Sequence, residues 1–557
     1  MDRTLDAARV LPVSAPTAHR LLRRDAALLF AGWALLVALA QVLRPILPVD
    51  ETRYVSVAWE MWRRGDFLVP HLNGLPYSEK PPLLFWLMHL GWGVFGVNEW
   101  WPRLVPSLFG LVNLFLTAAL ARRLWPDRPE VARAAPAVLL GFLLWATLTT
   151  LIMFDMLVAT CALVAVLAIH GAAHDGWRRR LRCWVTTGLA LGLGVLAKGP
   201  VALLLPMLVA VSAPWWGKGM ARRPGGWRWW AGLAGAVAVC AVVALAWALP
   251  AASAGGEAYG RAILLTQTEE RVVHALAHPH PWWWYLALLP LLLYPYSLWP
   301  PLWRAAARQA RQGLAGLETG LRLGLAWTVP GLLGFSLISG KQPHYLVPLC
   351  PPFALMVARL LDNGAPVRRW HLAFPLGGVI LLGAAMTLVA PLSGVLDAPE
   401  WATLVSPGAG VVLLLTTVGF FMGYWRVFSG RPAAPTLVSL ALLAGVHIGF
   451  AEAAERAYDL EPISHYLSVI ERQGRPIAFV GPYHGQFHFL GRLERPFQVI
   501  DPGAEHRWIL QHPDGKVVQD YQYMPYGMRE ADFIQPYRDD YLAVWGREAL
   551  LRALPSS

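Results

Sequence analysis

The stretch Pro48 to Pro82, P-V-D-E-T-R-Y-V-S-V-A-W-E-M-W-R-R-G-D-F-L-V-P-H-L-N-G-L-P-Y-S-E-K-P-P, decides how the rest of the chain is read. It follows the first long apolar run and precedes all the others. A helix starting at Asp50 sets Asp50, Arg53 and Tyr54 at i, i+3 and i+4, on one face. Asp50 and Glu51 then lie in the first turn, where the helix N-terminus favours anions. Pro81 and Pro82 disfavour helical geometry in the residues before them, so Ser78-Glu79-Lys80 is expected on a turn. A plainer account also fits: Asp50 as a helix cap, Glu79-Lys80 as a solvated turn. Topology separates the two.

The chain has 557 residues, of which 56% are hydrophobic and 15% charged, with mean hydropathy +0.43. This is the composition of a polytopic membrane protein, not a soluble enzyme. Twenty-eight tryptophans fit aromatic belts at the membrane interfaces. The net charge of +12 is spread through short loops between apolar runs, so nucleic acid is excluded as a partner. Cys161, Cys183, Cys240 and Cys350 show neither a pairing pattern nor metal-ligand spacing.

Thirteen spans are expected, at 26–44, 103–122, 134–152, 154–172, 182–197, 199–215, 229–250, 282–303, 322–339, 343–361, 372–391, 408–427 and 434–451. The run Leu83–Val97 is short and rich in Trp and Gly, and is read as a helix lying at the interface. With the tail 1–24 inside, one set of loops collects Arg122/Arg123/Arg128/Arg133, Arg178/Arg179/Arg180/Arg182, Lys218/Arg222/Arg223/Arg228, Arg304/Arg308/Arg311/Arg322, Arg368/Arg369 and Arg426/Arg431. The opposite short loops are nearly bare, apart from Lys198, Arg261, Arg271 and Lys341, which is a positive-inside pattern. Counting Leu83–Val97 as a span would reverse every later loop.

This topology sends Asp50, Glu51, Glu79, Lys80, Asp155, Lys198, Lys341 and Tyr345 to the outer face. Ionisable residues at membrane depth are rare and usually functional, and their gathering on one side favours a site. A carboxylate pair, an arginine and a turn-borne lysine suit a phosphorylated sugar lipid. Asp155 also reads as a helix cap, and Lys198 as a lysine snorkelling to the headgroups. The outer loop 251–281 holds His274, His278 and His280, a spacing that is not a specific metal motif. Residues 25–452 thus form a transmembrane domain with outer loops 45–102 and 251–281. Residues 453–557 read as a small outer α/β domain, with strands at Pro476–Gly481 and Pro496–Ile500. A short helix is expected at Tyr483–Leu490, and Trp508–Gln511 and Lys516–Gln519 are expected to flank a turn at Pro513-Asp514-Gly515.

Together these pieces resemble the polytopic glycosyltransferases that use a polyprenyl-phosphate sugar, nearest the aminoarabinose transferases that modify lipid A, with protein O-mannosyltransferases more distant. The resemblance rests on Asp50-Glu51-x-Arg53-Tyr54, Leu72-Asn73-Gly74, Glu79-Lys80-Pro81-Pro82, Leu151-x3-Asp155-Met156, Lys198-Gly199-Pro200 and Ser339-x-Lys341-Gln342-Pro343-x-Tyr345. It implies a GT-C fold of about thirteen helices with an outer C-terminal domain, in a bacterial inner membrane with the site on the periplasmic side. It implies catalytic roles for Asp50, Glu51 and Asp155. Arg53, Tyr54, Lys80, Lys198, Arg271, Lys341 and Tyr345 would bind the donor and its lipid phosphate. Glu79, with His274 or His278, would hold a divalent metal, zinc or magnesium. The implied partners are the polyprenyl-phosphate sugar, lipid A or another periplasmic acceptor, and membrane lipids. The family's histidine a few residues before the loop arginine is missing: Thr268-Glu269-Glu270 precede Arg271. Two other readings stay open, a transferase of the same mechanism with another sugar and acceptor, and a lipid transporter or flippase. The near absence of ionisable groups at mid-depth in the spans speaks against the transporter.

Overall fold

The computed structural model describes residues 15–174, 177–218, 220, 224–266, 280–338, 340–362, 368–395, 398–423, 433–522 and 530–553. The N-terminal helix α1, Ala15–Leu43, ends against Arg103. The Arg103 guanidinium donates to the carbonyls of Gln41 (3.1 Å), Arg44 (2.8 Å) and Ala40, which the helix end leaves without intrahelical partners. The chain turns at once into helix α2, Asp50–Arg64. As expected from the spacing, α2 begins at Asp50, carries two acids in its first turn and two arginines in its last, and stops at Gly65 in a left-handed conformation (φ +67°).

A two-strand hairpin, β1 (His71–Leu72) and β2 (Leu75–Pro76), follows, turning through Asn73 and Gly74. Ser78-Glu79-Lys80 is an irregular segment leading into helix α3, Leu83–Phe95. Helix α4, Trp100–Leu124, packs close on α3. At Gly91 an added Cβ would lie 2.0 Å from the Trp101 indole, whose Nε1 donates to the Leu87 carbonyl at 3.0 Å. Gly91→Ala is therefore expected to destabilise the protein by roughly 1–3 kcal/mol, the usual cost of overpacking. Thermal unfolding in detergent checks this, and an unchanged melting temperature would show that α3 moves aside freely.

Seven helices among the described residues have the length and apolarity to cross a membrane: Arg24–Leu43, Trp100–Leu124, Asp155–His174, Arg178–Lys198, Trp227–Ala254, Pro343–Asp362 and Trp370–Leu392. The bent pair Thr436–Gly449 and Ala451–Arg472 makes an eighth if taken as one span. About thirteen spans are not confirmed among the described residues, and proline accounts for several of the interruptions. Segment 134–152 divides into α5 (Pro129–Gly141) and α6 (Leu143–Leu148). Segment 199–215 divides into Pro200–Leu203, Leu204–Val211 and Ala213–Trp216, with prolines at 200, 206 and 214. Segment 282–303 is broken around Pro295 and Pro300. Helices α7 (Asp155–His174) and α8 (Trp177–Lys198) pack side by side through the centre of the bundle.

The C-terminal part is a five-stranded mixed sheet in the order β4-β3-β5-β7-β6, with β3 Ile477–Val480, β4 Gln498–Ile500, β5 Lys516–Tyr521, β6 Phe533–Tyr537 and β7 Asp540–Trp545. Period-two alternation divides its two faces. Ile477 and Phe479 pack with the helix Glu461–Arg472, and Ala478 and Val480 with the helices Glu505–Gln511 and Arg547–Ala553. Two local expectations fail. Trp508–Gln511 is helical, because β4 and β5 both run parallel to β3 and parallel strands need a crossover. Tyr483–Leu490 is not helical but irregular up to Gly485 and turns from 486 to 490, with Gly485 at φ +77° and its carbonyl taken by α2.

Candidate active site

The face of α2 predicted from spacing is the face that forms. Arg53 Nη2 donates to Asp50 Oδ1 at 2.7 Å, and Tyr54 Oη to the same oxygen at 3.3 Å. Arg53 Nη1 reaches Glu79 Oε2 at 3.3 Å, which also accepts from Tyr77 Oη at 3.3 Å. Burial works against the Arg53 charge, but Tyr77, Asp50, Tyr54 and Glu79 outweigh it and hold the guanidinium above its ordinary range. Burial, then the Asp50 charge, pushes the Tyr54 phenol well above its ordinary range, so it stays a neutral donor. The two carboxylates remain open: Asp50 is 47% exposed and Glu79 56%.

A second pair lies across an aromatic joint. The Tyr54 ring meets Phe154 edge-on at 4.9 Å, and Phe85 does the same from α3 at 5.7 Å. This packing sets the first residue of α7, Asp155, beside α2. Lys198, the last residue of α8, donates from Nζ to Asp155 Oδ1 at 2.6 Å. Asp155 is 2% exposed, and its Oδ2 is buried with no hydrogen-bond partner among the described residues. Lys198 Nζ also sits 4.9 Å from the centre of the Tyr345 ring. Tyr54, bonded to Asp50 and packed on Phe154 next to Asp155, ties the two pairs into one cluster.

Glu51 and Lys341 stand apart. Glu51 is 3% exposed and faces inward: Oε2 accepts from Arg44 Nη1 at 2.5 Å and the Leu47 N–H at 2.8 Å, and Oε1 from the Ile152 N–H at 2.7 Å. It pins the start of α2 to the loop before α7. Lys341 is buried with Nζ on the carbonyls of His280 (2.8 Å) and Ile338 (2.5 Å). Arg271, His274 and His278 lie outside the described residues. Among the described residues, no three of His, Cys, Asp and Glu gather as a metal would require, and Glu79 is committed to Arg53 and Tyr77. These residues alone do not fit a metal centre.

Two site residues escaped the sequence reading. Tyr77 stands two positions before Glu79, just after β2, and its hydroxyl donates to Glu79. Arg44 was visible as a cation at the outer end of the first span, against the charge pattern.

Comparison with known proteins adds the following. A family model described as dolichyl-phosphate-mannose-protein mannosyltransferase matches residues 79–247. The undecaprenyl phosphate-α-4-amino-4-deoxy-L-arabinose arabinosyl transferase of Pseudomonas aeruginosa strain UCBPP-PA14 is 34% identical over 407 residues, covering 71% of this chain and 70% of that protein. A transferase of the same name, numbered 2, from Pseudomonas fluorescens strain Pf0-1 is 29% identical over 517 residues, covering 90% and 86%. The crystal structure of ArnT from Cupriavidus metallidurans bound to undecaprenyl phosphate matches with a TM-score of 0.70 at 20% identity, over 95% of this chain and 98% of that one. The oligosaccharyltransferase AglB of Archaeoglobus fulgidus matches with a TM-score of 0.51 at 12% identity, over 89% and 69%. At those identities the two structures speak for a shared fold.

Proposed function

Because this chain belongs to the family of undecaprenyl phosphate-α-4-amino-4-deoxy-L-arabinose arabinosyl transferases, and is a membrane glycosyltransferase of GT-C fold, we propose that it moves 4-amino-4-deoxy-L-arabinose from undecaprenyl phosphate to lipid A at the periplasmic face of the inner membrane. The observation that carries this reading is the convergence of the Asp50–Arg53–Glu79 and Asp155–Lys198 groups at one end of the bundle, under the C-terminal domain.

The donor holds its sugar through a phosphate on the anomeric carbon. Transfer breaks the bond between that carbon and the phosphate oxygen, and the electron pair leaves with undecaprenyl phosphate. The leaving phosphate gains negative charge, which Arg53, Lys80 and Lys198 would stabilise in a partly dry site where such contacts are stronger than in water. Arg53 and Lys198 are held by carboxylates in the free protein, so each would trade part of that pairing for the phosphate. The acceptor oxygen forms the new bond from the opposite face, which inverts the anomeric centre. A phosphate acceptor on lipid A is already largely ionised, with a second pKa of about 6. Asp50 then steadies cationic character on the sugar. For a hydroxyl acceptor Asp50 would take the proton as general base.

The test uses purified protein in detergent with undecaprenyl phosphate-linked aminoarabinose and lipid A. Acceptor-dependent release of undecaprenyl phosphate, with the sugar recovered on lipid A, is expected. Transfer from a mannosyl or other polyprenyl donor instead would move the assignment to another sugar within the same mechanism.

A further inference from the structure

The C-terminal domain is clamped onto α2 one turn beyond Arg53. Ser56 Oγ donates to the Gly485 carbonyl at 2.6 Å and accepts from the Phe489 N–H at 3.1 Å. Trp59 Nε1 donates to the Leu493 carbonyl at 2.9 Å, and Phe489 stacks on Trp92 at 5.4 Å. Gly485 fits because it has no side chain: a Cβ there would lie 2.6 Å from Leu72 and 3.2 Å from Ser56. Arg53 and Ser56 are three positions apart on one helix and share a face, so the chain at Gly485 is anchored one turn from Arg53. The residue before Gly485 is His484. Its side chain is exposed, and its backbone N–H donates to Gln486 Oε1 at 2.9 Å. The Arg53, Glu79 and Asp50 charges all act on the imidazole, with Arg53 the strongest of the three.

The mouth of the site has an electrostatic difficulty. An acceptor that presents a phosphate must approach past two exposed carboxylates, Asp50 and Glu79. Arg53 is already shared between them. A further N–H donor beside these carboxylates would offset their repulsion of an anionic acceptor. We propose that His484 is an acceptor-binding residue, contributed by the C-terminal domain, that donates a hydrogen bond to the anionic group of the incoming lipid. This rests on the transferase reading above. Partial burial, then the Arg53 charge, keeps His484 below the ordinary histidine range, so its ring is neutral near pH 7 with one N–H to give.

The experiment is steady-state kinetics of full-length protein in detergent, varying lipid A and donor separately. His484→Ala is expected to raise KM for lipid A about tenfold, the scale of one hydrogen bond to a charged group, with donor KM and kcat near the parent values. His484→Gln, which keeps an N–H donor, should recover most of the loss. Ser56→Ala, which loosens the clamp, should raise acceptor KM too, and the double variant should be no worse than His484→Ala alone, because both act through one contact. An unchanged acceptor KM in His484→Ala, or an equal rise in donor and acceptor KM, would overturn the proposal. Failure of the parent protein to transfer to lipid A would instead count against the transferase reading, which separates the two.

Discussion

Asp50→Asn is expected to reduce transfer by about 10³-fold or more, in the range seen when a proton-transfer or charge-stabilising group is removed, while the protein folds normally and still binds undecaprenyl phosphate. Asp50 is 47% exposed and lies at the first residue of α2, so the amide leaves the helix and its packing in place. What is lost is the negative charge proposed to steady the sugar, and the partner that shares Arg53. Arg53 then engages the donor phosphate at least as readily, so donor KM should not rise and the loss should fall on kcat. Full activity in Asp50→Asn would refute the role given to this residue.

Lys198→Met is expected to lower stability strongly. The pair Lys198–Asp155 is buried at 2.6 Å, with Asp155 at 2% exposure and its second oxygen unpartnered among the described residues. Removing one member strands a charge in the bundle, which costs about 3–5 kcal/mol, a large share of the typical net stability of roughly 5–15 kcal/mol. Folded yield and melting temperature should fall together. The double variant Asp155→Asn/Lys198→Met carries no stranded charge and should recover much of the stability. It should stay inactive, because the donor phosphate would then lose its proposed contact with Lys198. A double variant that recovers activity along with stability would make the pair structural only.

How much of this could be read from the chain differs from residue to residue. The Asp50–Arg53–Tyr54 face follows from helical spacing alone, and it formed as expected. Glu51, whose catalytic role only the resemblance implies, points elsewhere. One position from Asp50, it is turned by about 100° on the helix and cannot share that face, and it packs inward on Arg44. Lys341 was placed near the donor because it sits at a break between apolar runs. The direction of its ammonium was decided by the carbonyls of Ile338 and His280, which no local pattern records. Continuous apolar runs suggested unbroken helices, yet proline's missing N–H divides several of them. His484 was beyond any spacing argument, since Ser56 and Gly485 meet across 429 positions.

The most direct test of the central claim is mass spectrometry of lipid A. Cells that make the aminoarabinose donor but lack their own transferase would express this chain or its Asp50→Asn variant at equal levels. Lipid A carrying the added aminoarabinose mass with the parent chain, and lacking it with the variant, is the predicted result. Unmodified lipid A alongside well-expressed, membrane-inserted parent protein would contradict the assignment of aminoarabinose and lipid A as its substrates.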